Sequence, residues 1–186
     1  MLDFIQEFKQ KGTLLDIGCA YGFLVNAASS RFDSYGIDVS HFAVGKSKSY
    51  CRGVISRASA VVIPFRTGSF DVVTAIDTLE HVENTSSCLK EIARILKDDG
   101  ILVLQLPNPL IWAHLCGRLC AFAGLEDDTH IKDFGLAQWR RILAEHKLKV
   151  EKYSGMISFA YNKIRFLLKS RRAAVLFPEM WIIASK

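Results

Sequence analysis

The chain has 186 residues, of which 50% are hydrophobic and 23% are charged, a composition typical of one globular domain with a substantial core. No apolar run approaches the roughly 20 residues that a membrane-spanning helix needs, and the N-terminal residues lack the apolar core of a signal peptide. A cytoplasmic location is therefore expected. The net charge of +5 is concentrated in the basic segment 163–172. That segment makes RNA or an anionic surface a candidate partner, although a solvated face is the commoner explanation.

Strand and helix patterns alternate along the chain, which predicts parallel strands joined by crossover helices. Strands are expected near 12–17, 34–38, 53–57, 70–76, 100–106, 147–154 and 175–184. Helices are expected near 2–10, 21–31, 40–51, 86–97, 110–122, 135–146 and 156–170. The helix at 86–97 has the clearest pattern, because Leu89, Ile92 and Leu96 share one face.

The most informative segment begins where the first strand ends in Asp16 and a turn runs from Gly18 to Gly22. A helix and a second short strand ending in Asp38 follow, which is the pattern of a nucleotide-binding βαβ unit. The glycine turn alone would also fit an ordinary strand-to-helix connection. A carboxylate at Asp16 would repel the pyrophosphate of a dinucleotide, whereas S-adenosylmethionine carries an ammonium and a sulfonium group. Asp16 therefore favours S-adenosylmethionine over NAD.

The segment Asp16-Ile17-Gly18-Cys19-Ala20-Tyr21-Gly22 resembles the first motif of class I S-adenosylmethionine-dependent methyltransferases. Segments 70–77 and 79–82 follow at the spacing of that family, and the chain is most similar to its type 11 and type 23 small-molecule group. The resemblance implies an α/β fold with a Rossmann-like seven-stranded sheet, mostly parallel with an antiparallel last strand, and helices on both faces. It also implies one domain over 1–186, with the cofactor-binding part at about 12–106 and substrate-side elements at about 107–134 and 155–174.

The resemblance further implies which residues contact the cofactor. They are Asp16, Gly18, Cys19, Ala20, Tyr21, Gly22, Asp38, Val39, Ser59, Ala60, Ile76 and Asp77. Asp38 would accept hydrogen bonds from the ribose hydroxyls, the alternative being a turn or helix-capping aspartate. The family often has glycine where Ala20 stands, so Ala20 is expected in a conformation that L-residues accept. Ser59 stands where an aspartate commonly binds the adenine amino group.

Two histidines are candidate catalytic residues. His81 would line the active site or act as a general base, and His130 would approach the cofactor from the substrate side. A structural histidine and a helix-capping loop histidine are the respective alternatives. Asp77, Glu80 and His81 resemble a Glu-x-x-Glu-His segment that holds a divalent metal in some relatives. No metal is expected, and these three residues are the weak candidates.

The predicted function is transfer of a methyl group to a small-molecule acceptor, preferably at oxygen, by in-line displacement, with S-adenosylhomocysteine as the product. An RNA-directed methyltransferase is one alternative, suggested by segment 163–172. A non-catalytic S-adenosylmethionine-binding partner subunit is another, suggested by Ala20 and Ser59. A monomer or a homodimer is expected.

Overall fold

A computed structural model describes residues 2–108, 134–161, 164–170 and 179–186, with side chains for all of these except 156–161 and 164–170. The helices are α1 (Leu2–Gln6), α2 (Phe23–Ala28), α3 (His41–Ser47), α4 (Thr85–Ile95) and α5 (Leu136–Glu145), with a 3₁₀ turn at Leu79–His81. The strands are β1 (Gly12–Ile17), β2 (Phe32–Asp38), β3 (Val54–Arg57), β4 (Phe70–Ile76), β5 (Leu96–Pro107), β6 (Lys149–Tyr161), β7 (Ile164–Ser170) and β8 (Glu179–Ser185).

The strands form one sheet in the order β3-β2-β1-β4-β5-β8-β6-β7. Strands β3, β2, β1, β4 and β5 pair in parallel, whereas the last strand, β8, is antiparallel to both β5 and β6. The predicted Rossmann-like sheet, mostly parallel with an antiparallel last strand, is therefore confirmed. The sheet has one strand more than expected, because β7 pairs antiparallel with β6 at the edge.

The additional strand corrects the predicted helix at 156–170, which is wrong. Strands β6 and β7 form a hairpin there, running from the Gly155–Ser170 pair to the Tyr161–Ile164 pair. Aromatic and β-branched residues recur at every second position in Ile157, Phe159 and Tyr161, which is a strand pattern. The helix predicted at 110–122 and the residues at 175–178 lie outside the described residues.

The sheet carries helices on both of its faces, as expected. Side chains alternate along β1, so that Leu15 and Ile17 enter one apolar cluster and Leu14 enters another. The first cluster includes residues of α4 and α5, among them Trp139, and the second includes Phe4 of α1. The parallel strand order places the carboxyl ends of β1, β2 and β4 side by side. Among the described helices, none is long and apolar enough to cross a membrane.

Candidate cofactor site

A cleft of about 480 Å³ lies at the carboxyl ends of the parallel strands. The chain leaves β1 towards β2 on one side and later returns to β4 on the other, so this edge is where an open α/β sheet binds ligands. The described lining residues are Ile17, Gly18, Ile37, Asp38, Val39, Ala58, Ser59, Ala60, Val61, Asp77, Thr78, His81, Val82, Glu83 and Asn84. They bring together four segments that lie far apart in the sequence, one at the end of each of β1, β2, β3 and β4.

The charges of this lining discriminate between ligands. The described lining contains the carboxylates of Asp38, Asp77 and Glu83 but no lysine or arginine. An acidic cleft attracts ammonium and sulfonium groups and repels a pyrophosphate. The residues present therefore fit the charges of S-adenosylmethionine better than those of a dinucleotide.

The glycine turn follows β1 directly, and its first residue, Gly18, lines the cleft. Gly18 and Cys19 donate backbone hydrogen bonds to the Ile37 carbonyl at 2.9 and 3.1 Å, which joins the turn to β2. Gly18 has a φ of 70°, in the left-handed region that favours glycine, and a Cβ there would overlap Thr78. The turn thus needs glycine at Gly18 for both its conformation and its packing.

Ala20 departs from its expected conformation. Its φ is 45°, a left-handed value that L-residues rarely adopt, so the expectation of an L-compatible backbone is wrong. The Ala20 amide donates to Asp38 Oδ2 at 2.8 Å, and this bond holds the turn against the end of β2. The turn therefore keeps the shape that glycine usually provides, with alanine in its place.

Ala20→Gly is expected to stabilise the protein by up to about 1 kcal/mol, because it relieves left-handed strain that exceeds the extra unfolded-state freedom of glycine. Urea unfolding measures the change. Ala27→Gly, the same substitution at an exposed position in α2, is the control and is expected to destabilise by about 1 kcal/mol. A destabilised Ala20→Gly variant would contradict the strained conformation.

Asp38 ends β2 and is half-buried at the cleft. Its Oδ2 accepts from the Ala20 amide and its Oδ1 accepts from the Ser40 amide, both at 2.8 Å. A carboxylate oxygen has two lone pairs, so each can accept a further hydrogen bond. Asp38 therefore supports the glycine turn, which is the structural alternative, and it also lines the cleft.

Asp16 lies beneath the cleft and is not among its lining residues. Its carboxyl group is only 4% exposed, and it accepts a hydrogen bond from the Thr74 hydroxyl of β4 at 2.7 Å. Burial raises the Asp16 pKa from 3.8 to about 7, the Thr74 bond opposes this rise, and the nearby Asp38 carboxylate adds to it. The acid of the first motif is therefore part of the interior of the sheet.

The raised pKa of Asp16 predicts a pH-dependent stability. Below pH 4 the carboxyl is neutral in both the folded and the unfolded chain; between pH 4 and about 7 only the unfolded chain releases the proton. The free energy of unfolding should therefore fall with rising pH, by at most about 1.4 kcal/mol per pH unit. Chemical denaturation between pH 4 and 8 measures this slope. Asp16→Asn should reduce it, and an identical slope in the variant would contradict the assignment.

The segment after β3 forms one wall of the cleft and contains Ser59 and Ala60. It is fixed from behind by Arg94, whose guanidinium donates to the carbonyls of Ile63 and Phe65 at 2.9 and 2.8 Å. Glu91 binds the same guanidinium with both carboxylate oxygens and accepts from the Ile63 amide at 2.9 Å. The pair thus fastens the cleft wall to α4. Sequence reasoning missed it, because its partners lie about thirty positions apart.

The segment after β4 contributes the opposite wall. Asp77 is exposed, has a φ of 45° and accepts from the Gln105 side chain at 3.2 Å. His81 is exposed and lines the cleft, whereas Glu80 is buried in the 3₁₀ turn. Within the described ranges, no group of three or more histidine, cysteine, aspartate or glutamate side chains could hold a metal ion. His130 lies outside the described residues.

The cleft gathers half of the twelve residues expected to contact the cofactor. Gly18, Asp38, Val39, Ser59, Ala60 and Asp77 line it. Asp16, Cys19, Ala20, Tyr21, Gly22 and Ile76 lie in the same strands and turn but are not among its lining residues. Sequence reasoning did not single out Thr78 or Asn84, which line the cleft after β4 without a charge or a motif to mark them.

The strand order, the glycine turn and the acidic cleft define a Rossmann-like domain of the class I methyltransferase type. A family model described as a methyltransferase domain matches residues 1–153, and the chain belongs to this family. A ubiquinone biosynthesis O-methyltransferase from Methylococcus capsulatus is 30% identical over 113 residues, covering 54% of this chain and 46% of that protein. The chain spans about half the length of the first curated relatives that it matches.

Solved structures show the same fold at low sequence identity. A SAM-dependent methyltransferase from Thermotoga maritima superposes with a TM-score of 0.76 at 15% identity, covering 100% of this chain and 86% of that chain. Magnesium protoporphyrin IX methyltransferase from Synechocystis, solved with bound S-adenosylhomocysteine, superposes with a TM-score of 0.68 at 19% identity, covering 100% and 79%. A cofactor of the S-adenosylmethionine type is general in this family.

Proposed function

We propose that the chain binds S-adenosylmethionine in the cleft and transfers its methyl group to an oxygen of a small-molecule acceptor. The observation that carries the proposal is the acidic cleft, which joins the glycine turn, Asp38 and the Ser59 segment across the ends of three strands. The O-methyltransferase name of the Methylococcus relative supports an oxygen acceptor. The bound product in the Synechocystis enzyme supports the cofactor.

Each wall of the cleft has a separate role in this proposal. Asp38 accepts the ribose hydroxyls, and the neutral Ser59 and Ala60 segment lies beside the adenine. Bound S-adenosylmethionine supplies a methyl carbon activated by positive sulfur and leaves as S-adenosylhomocysteine. Asp77 adds negative charge on the β4 side, where it favours the cationic end of the ligand. The walls then hold the methyl group in line with the acceptor.

His81 is the proposed general base. Its ring is exposed at the cleft, on the 3₁₀ turn after β4, where an acceptor hydroxyl can reach it. A hydroxyl must lose its proton as the new oxygen–carbon bond forms, and an imidazole nitrogen can accept that proton. His130 remains the second candidate for the same role.

His81→Ala is expected to lower the turnover of a hydroxylated acceptor by about a hundredfold or more, with S-adenosylhomocysteine affinity within about threefold of wild type. Radiolabelled methyl transfer to a panel of catechols and phenols measures turnover. His146→Ala is the control, because His146 contacts Ser86 and is not among the cleft residues. Equal turnover in the His81 variant would exclude it as the base.

The same assay separates the alternatives. Methyl transfer to RNA alone would favour the RNA-directed enzyme, for which Arg165 and Lys169 of the basic segment lie on the edge strand β7. Cofactor binding without transfer to any acceptor would favour a partner subunit. We also propose that the protein is cytoplasmic and that it is a monomer or a homodimer. Residues 107–134 and 155–174 are proposed to form the acceptor-side elements.

A further inference from the structure

Exposed apolar side chains are concentrated in one part of the sequence. Eight large hydrophobic side chains are exposed in the described part of the chain, and seven of them fall between positions 21 and 62. These seven are Tyr21, Phe23, Val39, Phe42, Tyr50, Val54 and Val62, with exposed fractions from 41% to 71%. We call the four aromatic members of this set the aromatic face. Soluble proteins rarely cluster exposed apolar groups without a partner.

Three residues of the aromatic face, Tyr21, Phe23 and Tyr50, are held together by direct contacts. The rings of Phe23 and Tyr50 stack with centroids 5.8 Å apart and an interplanar angle of 27°. The ring centroids of Tyr21 and Phe23 are 6.1 Å apart, and the Tyr50 hydroxyl donates to the Tyr21 carbonyl. These contacts join α2 to the turn that follows α3. The rings are therefore fixed in place on the surface.

Helix α3 extends the same face and adds positive charge to it. Phe42 and Lys46 lie one helical turn apart in α3, and Tyr50 lies in the turn that follows, where its amide donates to the Ser47 carbonyl at 3.2 Å. The Lys46 ammonium lies 5.6 Å from the centre of the Phe42 ring. An aromatic ring and a cation thus lie on one side of the helix, and a second ring follows in the turn after it.

The lysines and arginines of the surrounding sequence are accompanied by no acidic residue. Residues 39–70 contain no aspartate or glutamate, although the whole chain has 19 acidic residues. The same stretch contains the exposed basic residues Lys46, Lys48, Arg52, Arg57 and Arg66. Apolar and aromatic groups accompanied by cations are complementary to a surface that is anionic outside and apolar beneath.

We propose that the aromatic face docks the protein on an anionic lipid bilayer. Phe23 and Phe42 enter the boundary between headgroups and acyl chains, and Lys46 and Lys48 bind the lipid phosphates. A single-stranded nucleic acid would use the rings for stacking but gains nothing from the aliphatic Val54 and Val62, which a bilayer accommodates. The docking goes beyond the proposed methyl transfer and requires no cofactor.

Vesicle co-sedimentation at low salt tests the docking. The wild-type chain should bind phosphatidylcholine vesicles containing about 30% phosphatidylglycerol, and bind pure phosphatidylcholine at least about tenfold more weakly. Phe23→Ala with Phe42→Ala, and separately Lys46→Gln with Lys48→Gln, should each weaken binding to the anionic vesicles by about tenfold or more. The matched controls are Phe8→Ala, at an exposed ring elsewhere, and Lys11→Gln with Lys90→Gln.

The proposal is supported if both double variants lose binding to the anionic vesicles while the control variants bind like wild type. Absence of wild-type binding to anionic vesicles would overturn it, and so would equal binding by all variants. Oligouridine is the competing probe in the same buffer. Tighter binding of oligouridine than of vesicles, lost in the Phe23 and Phe42 variant, would overturn the bilayer and assign the face to RNA.

Discussion

Asp38→Ala is expected to weaken S-adenosylhomocysteine binding by at least about a hundredfold, with the chain still folded, because it removes the carboxylate that we propose accepts both ribose hydroxyls. Hydrogen bonds to a charged group contribute about 1.5–3 kcal/mol each, and two are lost. The variant also leaves the Ala20 and Ser40 amides without their 2.8 Å acceptor, so the glycine turn loses support. Isothermal titration calorimetry measures the affinity, and urea unfolding measures the stability.

Two further variants identify the cause of the loss. Asp33→Ala removes an exposed carboxylate from the same strand and should bind like wild type. Asp38→Asn keeps the size of the side chain and one oxygen acceptor but loses the charge, and an intermediate affinity is expected. If Asp38→Ala binds within about threefold of wild type, Asp38 does not contact the ligand.

Gly18→Ala is expected to have the second large effect, destabilising the fold by about 2–4 kcal/mol and abolishing ligand binding. The φ of 70° costs an L-residue about 1–2 kcal/mol. The added Cβ would also overlap the Thr78 side chain, with Thr78 Cγ2 at 2.6 Å. Thr78 follows β4 and lines the cleft, so its displacement would also disturb the wall formed by the segment after β4.

Gly68→Ala is the matched control for this substitution. Gly68 has nearly the same φ, 65°, but nothing lies within 4 Å of the position of its Cβ. It should show only the conformational cost, about 1–2 kcal/mol, and retain ligand binding. Equal losses of stability in the two variants would show that the contact with Thr78 does not matter.

The parts of the fold that the sequence predicted correctly depend on local patterns. The apolar strand, the glycine turn and Asp38 lie within about twenty-five residues, and they predicted β1, the turn and β2 in the right places. The helix expected at 86–97 is found at Thr85–Ile95, because its apolar residues recur on one face. Such patterns need no information about distant partners.

The features that the sequence did not predict depend on partners far along the chain. The pKa of Asp16 depends on burial and on Thr74, 58 residues away, and the cleft wall depends on the distant Arg94. Strand β6 pairs with β8 over residues 149–156 and continues into the hairpin with β7, and the helix expected at 156–170 took no account of this pairing. The left-handed backbone at Ala20 is equally hidden, because alanine itself gives no sign of a positive φ.

The most direct test of the account is calorimetric titration of the wild-type chain with S-adenosylhomocysteine, with NADH as the control ligand. The proposed cofactor site predicts binding of S-adenosylhomocysteine at one site per chain and no binding of NADH, whose pyrophosphate the lining carboxylates repel. Binding of NADH instead of S-adenosylhomocysteine would contradict the proposed site, and so would the absence of binding by either ligand.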